Sequence, residues 1–236
     1  MSDYGFQIQN SSGQVVADTN FPVYTPVQYG SFSTGGTANV WTFTDVYFSS
    51  GVDVSTMPQF FMELPTNVSG YGAPTICLHS YFMSGSTITG VRIHSYFYSA
   101  AASITFNVNY VVAVPVSATA VASADYGVIA YDSAGKVTFN SGKRLVTIKA
   151  VSTMNVGDVL SHPTIFGTRY VAIGGLAGIR VTPVSYPSYG YVFFGGIRSA
   201  SSTSVSLAWN LVALNATTLN AIAPIPTCVI VAELGA

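Results

Sequence analysis

A block of thirteen residues near the start of this chain returns 122 positions later. Asp3-Tyr4-Gly5-Phe6-Gln7-Ile8-Gln9-Asn10-Ser11-Ser12-Gly13-Gln14-Val15 reappears as Asp125-Tyr126-Gly127-Val128-Ile129-Ala130-Tyr131-Asp132-Ser133-Ala134-Gly135-Lys136-Val137. Both blocks centre on a turn signal, Asn10-Ser11-Ser12-Gly13 and Asp132-Ser133-Ala134-Gly135. An Asx side chain at the first position bonds the backbone, and a glycine at the fourth takes positive φ without a Cβ clash. The flanking segments, Gln7 to Asn10 and Gln14 to Ala17 in the first block, are then the arms of a hairpin. A second echo sets Ser99-Ala100 and Ile104-x-Phe106-x-Val108-x-Tyr110 against Ser199-Ala200 and Val205-x-Leu207-x-Trp209-x-Leu211, at offset 101. Together the echoes predict tandem copies of one module, the second shortened by 122 − 101 = 21 residues in its middle. The uncharged stretch from Pro115 to Ala124, rich in small side chains, reads as the connection.

The rest of the chain reads as strands. Ala38 to Phe43, Phe60 to Leu64, Ile76 to Leu78, Val91 to Phe97 and Ile104 to Val114 carry strand patterns in the first half. Val137 to Phe139, Leu145 to Val151, Tyr170 to Ile173, Gly178 to Val181, Tyr191 to Phe194, Val205 to Val212 and Thr227 to Ala232 do so in the second. Only Ala216 to Ala223 hints at a helix. We therefore expect an all-β protein of two tandem, similar β-sandwich or jelly-roll-like domains, residues 1–117 and 125–236, with a linker at 118–124.

Composition narrows the function. Hydrophobic residues make up 49% of the chain, enough for a core, while charged residues are only 7% where about 25% is usual. Net charge is −1, a balance that favours association over solitary solubility. The first basic residue is Arg92, so 91 positions offer nothing to neutralise phosphate, and nucleic-acid binding is not expected. Residues 1–124 carry 1 − 5 = −4 and residues 125–236 carry 7 − 4 = +3, a split suited to acidic modules facing basic ones. No basic-then-apolar leader opens the sequence, and the longest apolar run, Tyr110 to Val116, is too short to span a bilayer. Synthesis in a cytoplasm, without membrane insertion, is the expectation. Cys77 and Cys228 are read as buried thiols, and the Asn-x-Ser/Thr sequences at Asn10, Asn67 and Asn215 are given no weight as glycosylation sites.

No catalytic signature stands out. Cys77-x-His79 with His94 lacks a metal-ligand spacing motif. No Gly-x-Ser-x-Gly elbow is present, and Asp45, Asp53 and Glu63 are marked as glycosidase acids by nothing beyond being acids. Gly174-Gly175 and Gly195-Gly196 are not phosphate loops. We expect no enzyme, no cofactor and no metal. Tyrosines cluster around turns and strand ends, at Tyr71, Tyr81, Tyr96, Tyr98, Tyr186, Tyr189 and Tyr191. Of these, Tyr71, Tyr96, Tyr98, Tyr186 and Tyr189 are the candidate surface contacts to a protein or glycan partner.

The opening Tyr4-Gly5-Phe6-Gln7-Ile8-x-Asn10-x-x-Gly13-x-Val15-x-x-Asp18 resembles the start of small virion proteins of tailed bacteriophages, with a partial return at Asp125 to Asn140, where Asn140 replaces the aspartate. The resemblance implies a structural virion part, typically tail-associated, and carries over no catalytic residues. Expected partners are further copies of the chain, as a trimer or hexamer, other virion proteins, and a host-surface glycan or protein. Three two-module chains would make a ring of six similar modules. A head decoration protein, a lectin-like glycan-binding module and a glycan depolymerase are the alternatives.

Overall fold

The structure, a computed structural model, describes residues 7–9, 15–18, 23–36, 42–66, 68, 73–96, 104–118, 128–132, 134–165, 168–173, 179–184, 189–214 and 227–234. The first half supplies β1 (Gln7–Gln9), β2 (Val15–Asp18), β3 (Tyr24–Gly36), β4 (Thr42–Asp53), β5 (Gln59–Glu63), β6 (Thr75–Ser84), β7 (Thr87–Tyr96) and β8 (Ile104–Pro115). The second supplies β9 (Ile129–Tyr131), β10 (Val137–Asn140), β11 (Val146–Met154), β12 (Val159–Ser161), β13 (Arg169–Ile173), β14 (Ile179–Val184), β15 (Tyr189–Ser201), β16 (Ser204–Leu214) and β17 (Thr227–Leu234). Two single 3-10 turns, Val54–Thr56 and Val116–Ala118, are the only helical segments among the described residues. The stretch Ala216 to Ala223 and most of the 118–124 linker lie outside the described residues.

The repeated block folds the same way twice. β1 pairs antiparallel with β2, and β9 with β10, at matching positions: Gln7 opposite Asp18 and Ile129 opposite Asn140, Ile8 opposite Ala17 and Ala130 opposite Phe139. The register slips at the same place in both hairpins. In the second hairpin the turn is the one its sequence asks for. Asp132 Oδ1 accepts from the backbone N–H of Ala134 (2.9 Å) and Lys136 (2.8 Å), and Gly135 sits at φ 77°. The Asn10 to Gly13 turn lies outside the described residues.

Beyond the hairpins, six strands of the first half and six of the second take matching places in two shared sheets, and β14 has no counterpart. A closed barrel runs in the order β3-β8-β5-β13-β17-β11 and back to β3. Read outward from the middle, β5, β8 and β3 answer to β13, β17 and β11. A second sheet runs β4-β7-β6-β15-β16-β12, with β14 added on β15, and here β6, β7 and β4 answer to β15, β16 and β12. Both sheets draw strands from residues 1–117 and from residues 125–236, so neither stretch has a sheet system of its own beyond its hairpin. Equivalent strands meet each other at the joints: Tyr170 opposite Glu63, Ile197 opposite Ile76, and Val146 opposite Tyr24, all antiparallel. Such contacts relate the halves by an approximate twofold. The physical reason is edge protection, since a separate three-on-three sandwich would leave four strand edges unpaired.

This topology corrects the offset-101 echo. It equates β8 with β16, which lie in different sheets and are not counterparts. The echo is the alternation of apolar residues that their two sequences share. The second half is shortened elsewhere: β4 has twelve residues and its counterpart β12 three.

One hydrophobic cluster spans both halves and both sheets. Phe60, Met62, Val108, Val112 and Leu78 pack with Val171, Val229, Val231, Ile197 and Leu207. A second cluster lies on the opposite face of the barrel strands and draws on all six: Tyr24, Phe61, Val111 and Ala113, Val146, Tyr170 and Ala172, and Ala232. Segments 60–62 and 110–114 are therefore buried on both faces, which explains their unbroken apolar sequence. β3 is the long strand that pattern reading misses, because Pro26, Gly30 and Gly35 look like turn residues. Pro26 sits where the register with β8 slips, so its missing N–H disrupts little. Gly30 lies under the Tyr110 ring, and any Cβ there would run into it.

Candidate functional site

The three acids weighed as catalytic groups have separate, local tasks. Arg92 Nε and Nη2 donate to Asp45 Oδ1 and Oδ2 at 2.6 and 2.7 Å, and the guanidinium holds the Asp45 carboxyl below its ordinary pKa. Asp53 Oδ1 accepts from the Ser55 N–H at 2.8 Å, capping the 3-10 turn, and these bonds hold its pKa down too. Glu63 Oε2 accepts from Asn109 Nδ2 at 2.6 Å. A glycosidase acid needs a raised pKa, and Asp45 and Asp53 are shifted the other way. Cys77 faces His94 across the β6–β7 ladder, but its thiol is buried, bonds the Leu78 carbonyl and is pushed up to about 12 by desolvation. Burial pushes His94 down to about 4, with His79 nearby adding to the shift. Among the described residues no group of three His, Cys, Asp or Glu side chains is arranged to hold a metal ion.

What the second sheet does build is an aromatic ledge on its outer face. Alternation along β4 puts Phe43, Asp45 and Tyr47 on one side. Arg92, from the neighbouring β7, lies 5.6 Å from the ring centres of both Phe43 and Phe82 while gripping Asp45. Tyr47 stacks on Phe82 at 5.4 Å across Gly90, which lies between them in register. The Phe43 ring also meets His79 and His94 at 5.1 and 5.0 Å. Tyr47 is 69% exposed, and Phe43 is exposed on the same face. The ledge is a firm, partly apolar platform with one ion pair, suited to a protein or sugar face.

A second feature is a cavity of about 450 Å³ at the seam between β5 and β13, with Glu63 and Thr66 on one wall and Thr168, Arg169 and Ser202 on the other. Arg169, 9% exposed, clamps the β15–β16 turn: Nη1 donates to the carbonyls of Ser201 (2.6 Å) and Ser204 (3.2 Å), and Nη2 donates to Ser199 Oγ. His162 Nδ1 donates to the Pro163 carbonyl at 2.8 Å, leaving Nε2 to accept from Arg169 Nη1 at 3.3 Å. This turn has no glycine, unlike its counterpart at Gly85 (φ 61°), and the clamp joins the turn's own bonds, among them Thr203 N–H to Ser201 Oγ at 3.1 Å, in holding it.

The tyrosines singled out from sequence fare differently. Tyr96 is 8% exposed, a buried residue and not a surface contact, because it ends β7, whose residues from Ile93 to Tyr96 are all buried. Tyr71, Tyr98 and Tyr186 lie outside the described residues, and Tyr189 opens β15 with its side chain undescribed. The ledge residues Phe43, Asp45 and Tyr47 went unnoticed as a site, though their spacing of two was a signal. The Arg169 cavity left no motif. The acid–base split between halves does not produce the cross-half pairing it suggested in the two ion pairs described, Arg92–Asp45 and Lys149–Glu233, each within one half. No helix among the described residues is long and apolar enough to cross a membrane. No family model, curated protein or solved structure matches the chain.

Proposed function

We propose that this chain is a structural subunit of a tailed-bacteriophage particle, made in the host cytoplasm and built into the virion. Its place is the tail, at the tip, a fibre or a fibre adaptor. It works as a homo-oligomer, trimeric or hexameric, with other virion proteins as neighbours. The observation that carries this reading is the outer surface: Tyr29, Phe43, Tyr47, Met57, Tyr81, Met83, Val151 and Val159 are exposed on a chain with only 7% charged residues. Such a surface is at ease once neighbours cover it. The joint inside the chain is a twofold contact between equivalents, so a ring of six modules needs a further, head-to-tail contact between chains. Head decoration is the rival within the same class.

The aromatic ledge favours one second reading, a lectin-like module that presents Tyr47 and Phe43 to a host-surface glycan. Catalysis finds less support, since the acids carry structural bonds. Native mass spectrometry of the purified chain tests the assembly, and proteomics of purified particles tests the location. A stable monomer at micromolar concentration, or absence from particles, refutes the reading. A glycan array with wild type and Tyr47→Ala separates host contact from pure scaffolding.

A further inference from the structure

The cavity between the halves sets a cation, Arg169, on one wall and a carboxylate, Glu63, on the other. Arg169 is a nearly buried cation, yet the groups that meet its guanidinium are neutral: two carbonyls, one hydroxyl and one imidazole nitrogen. Three of these four contacts fall on Nη1. Its Nε–H and the second Nη2 hydrogen have no acceptor among the described residues. Buried charges are ordinarily matched by a counter-charge, because dipoles alone replace lost hydration incompletely. The head also stands at the cavity wall. Its partners Ser201 and Ser204 bracket Ser202, which lines the cavity.

The opposite wall asks for something else. Glu63 uses Oε2 on Asn109, and Oε1 has no partner among the described residues. Thr66, Thr168 and Ser202 add hydroxyls that both donate and accept, and Ile165 adds an apolar patch. A compact inorganic anion would satisfy Arg169 but lie against the Glu63 carboxylate. A neutral sugar would suit Glu63 and the hydroxyls and leave the cation unmatched. A ligand with a carboxylate at one end and hydroxyls at the other satisfies both walls, and about 450 Å³ admits one hexose-sized unit with water.

We propose that this cavity binds a polyhydroxylated carboxylate, a hexuronic-acid type of sugar residue, with its carboxylate on Arg169 and its hydroxyls on Glu63 and the threonine and serine side chains. This goes beyond the assembly reading and does not depend on it, since the site lies within one chain. Titration of the full chain with glucuronate, glucose and acetate, followed by saturation-transfer NMR and calorimetry, tests it. Glucuronate is expected to bind at roughly millimolar affinity, as a ligand of that size can, with glucose and acetate each at least about tenfold weaker. Arg169→Lys keeps the charge but loses the fork, and is expected to weaken glucuronate at least about tenfold. Because Arg169 also holds a turn, Ser202→Trp serves as the second variant: it fills the cavity from an exposed position and is expected to abolish binding. Acetate binding as tightly as glucuronate overturns the sugar assignment. Absence of saturable glucuronate binding, or binding undiminished in Ser202→Trp, overturns the site.

Discussion

Met62→Ala tests whether the two halves fold as one unit. Met62 is fully buried, faces Val171 of the other half across the β5–β13 joint, and belongs to the cluster that unites both halves. Truncating a buried methionine to alanine costs about 2–5 kcal/mol, and the cost rises when the surroundings cannot close over the gap. Here β5 is packed on both faces, with Phe61 in the second cluster, so collapse is hindered and about 3 kcal/mol or more is expected. For a chain of this length that is a fall in melting temperature of roughly 6–12 °C. The two tryptophans make the assay specific, since Trp41 belongs to the first half and Trp209 to the second. In Trp41→Phe and Trp209→Phe backgrounds, each remaining tryptophan reports one half. One cooperative unit requires both reporters to melt together and Met62→Ala to lower both equally. Two separate transitions, or a shift confined to the Trp41 reporter, would refute the shared core.

Gly90→Ala should lower stability by about 1–3 kcal/mol in urea denaturation, because the added methyl meets the Val46 carbonyl, the Tyr47 backbone and the Phe82 ring. His94 gives a pH dependence with a definite sign. Its folded pKa of about 4 lies below the ordinary 6.5, so the unfolded chain binds more protons between these values. Stability should be full above pH 6.5 and fall by up to about 3 kcal/mol as pH drops to 4; a His94→Gln variant should show a flatter profile over that window. Glu233→Gln should cost about 2 kcal/mol at low and high salt alike, because Lys149 Nζ lies 2.8 Å from Glu233 Oε2 and both side chains are largely covered.

Local chemistry was legible in the sequence and long-range pairing was not. The offset of 122 located two hairpins with the same register, because an Asx-x-x-Gly turn sets its own geometry within a few residues. Strand alternation located most of the other elements. It could not say that β5 would pair with β13, or β6 with β15, since any strand with one apolar face presents the same pattern to any edge. The same degeneracy produced the false equivalence of β8 and β16. β3 was hidden by Pro26, Gly30 and Gly35, of which Gly30 makes room for the Tyr110 ring on the neighbouring strand and Gly35 for the Ile104 backbone. At the candidate sites the gap is wider still. Arg169 and Glu63 sit 106 positions apart in the chain (169 − 63 = 106) and no spacing rule links them. Tyr96 shows the converse, an aromatic whose sequence position suggests a rim and whose place in β7 is interior.

The unequal lengths of β4 and β12 have a consequence for anything that grows onto this molecule. They occupy the two outer margins of one sheet, so a folding plan that is otherwise matched end to end finishes with one generous border and one stub. A neighbour that docks along the long border finds no comparable landing strip on the far side. The near-symmetry inside the chain is thereby broken at its perimeter, which gives the molecule a front and a back.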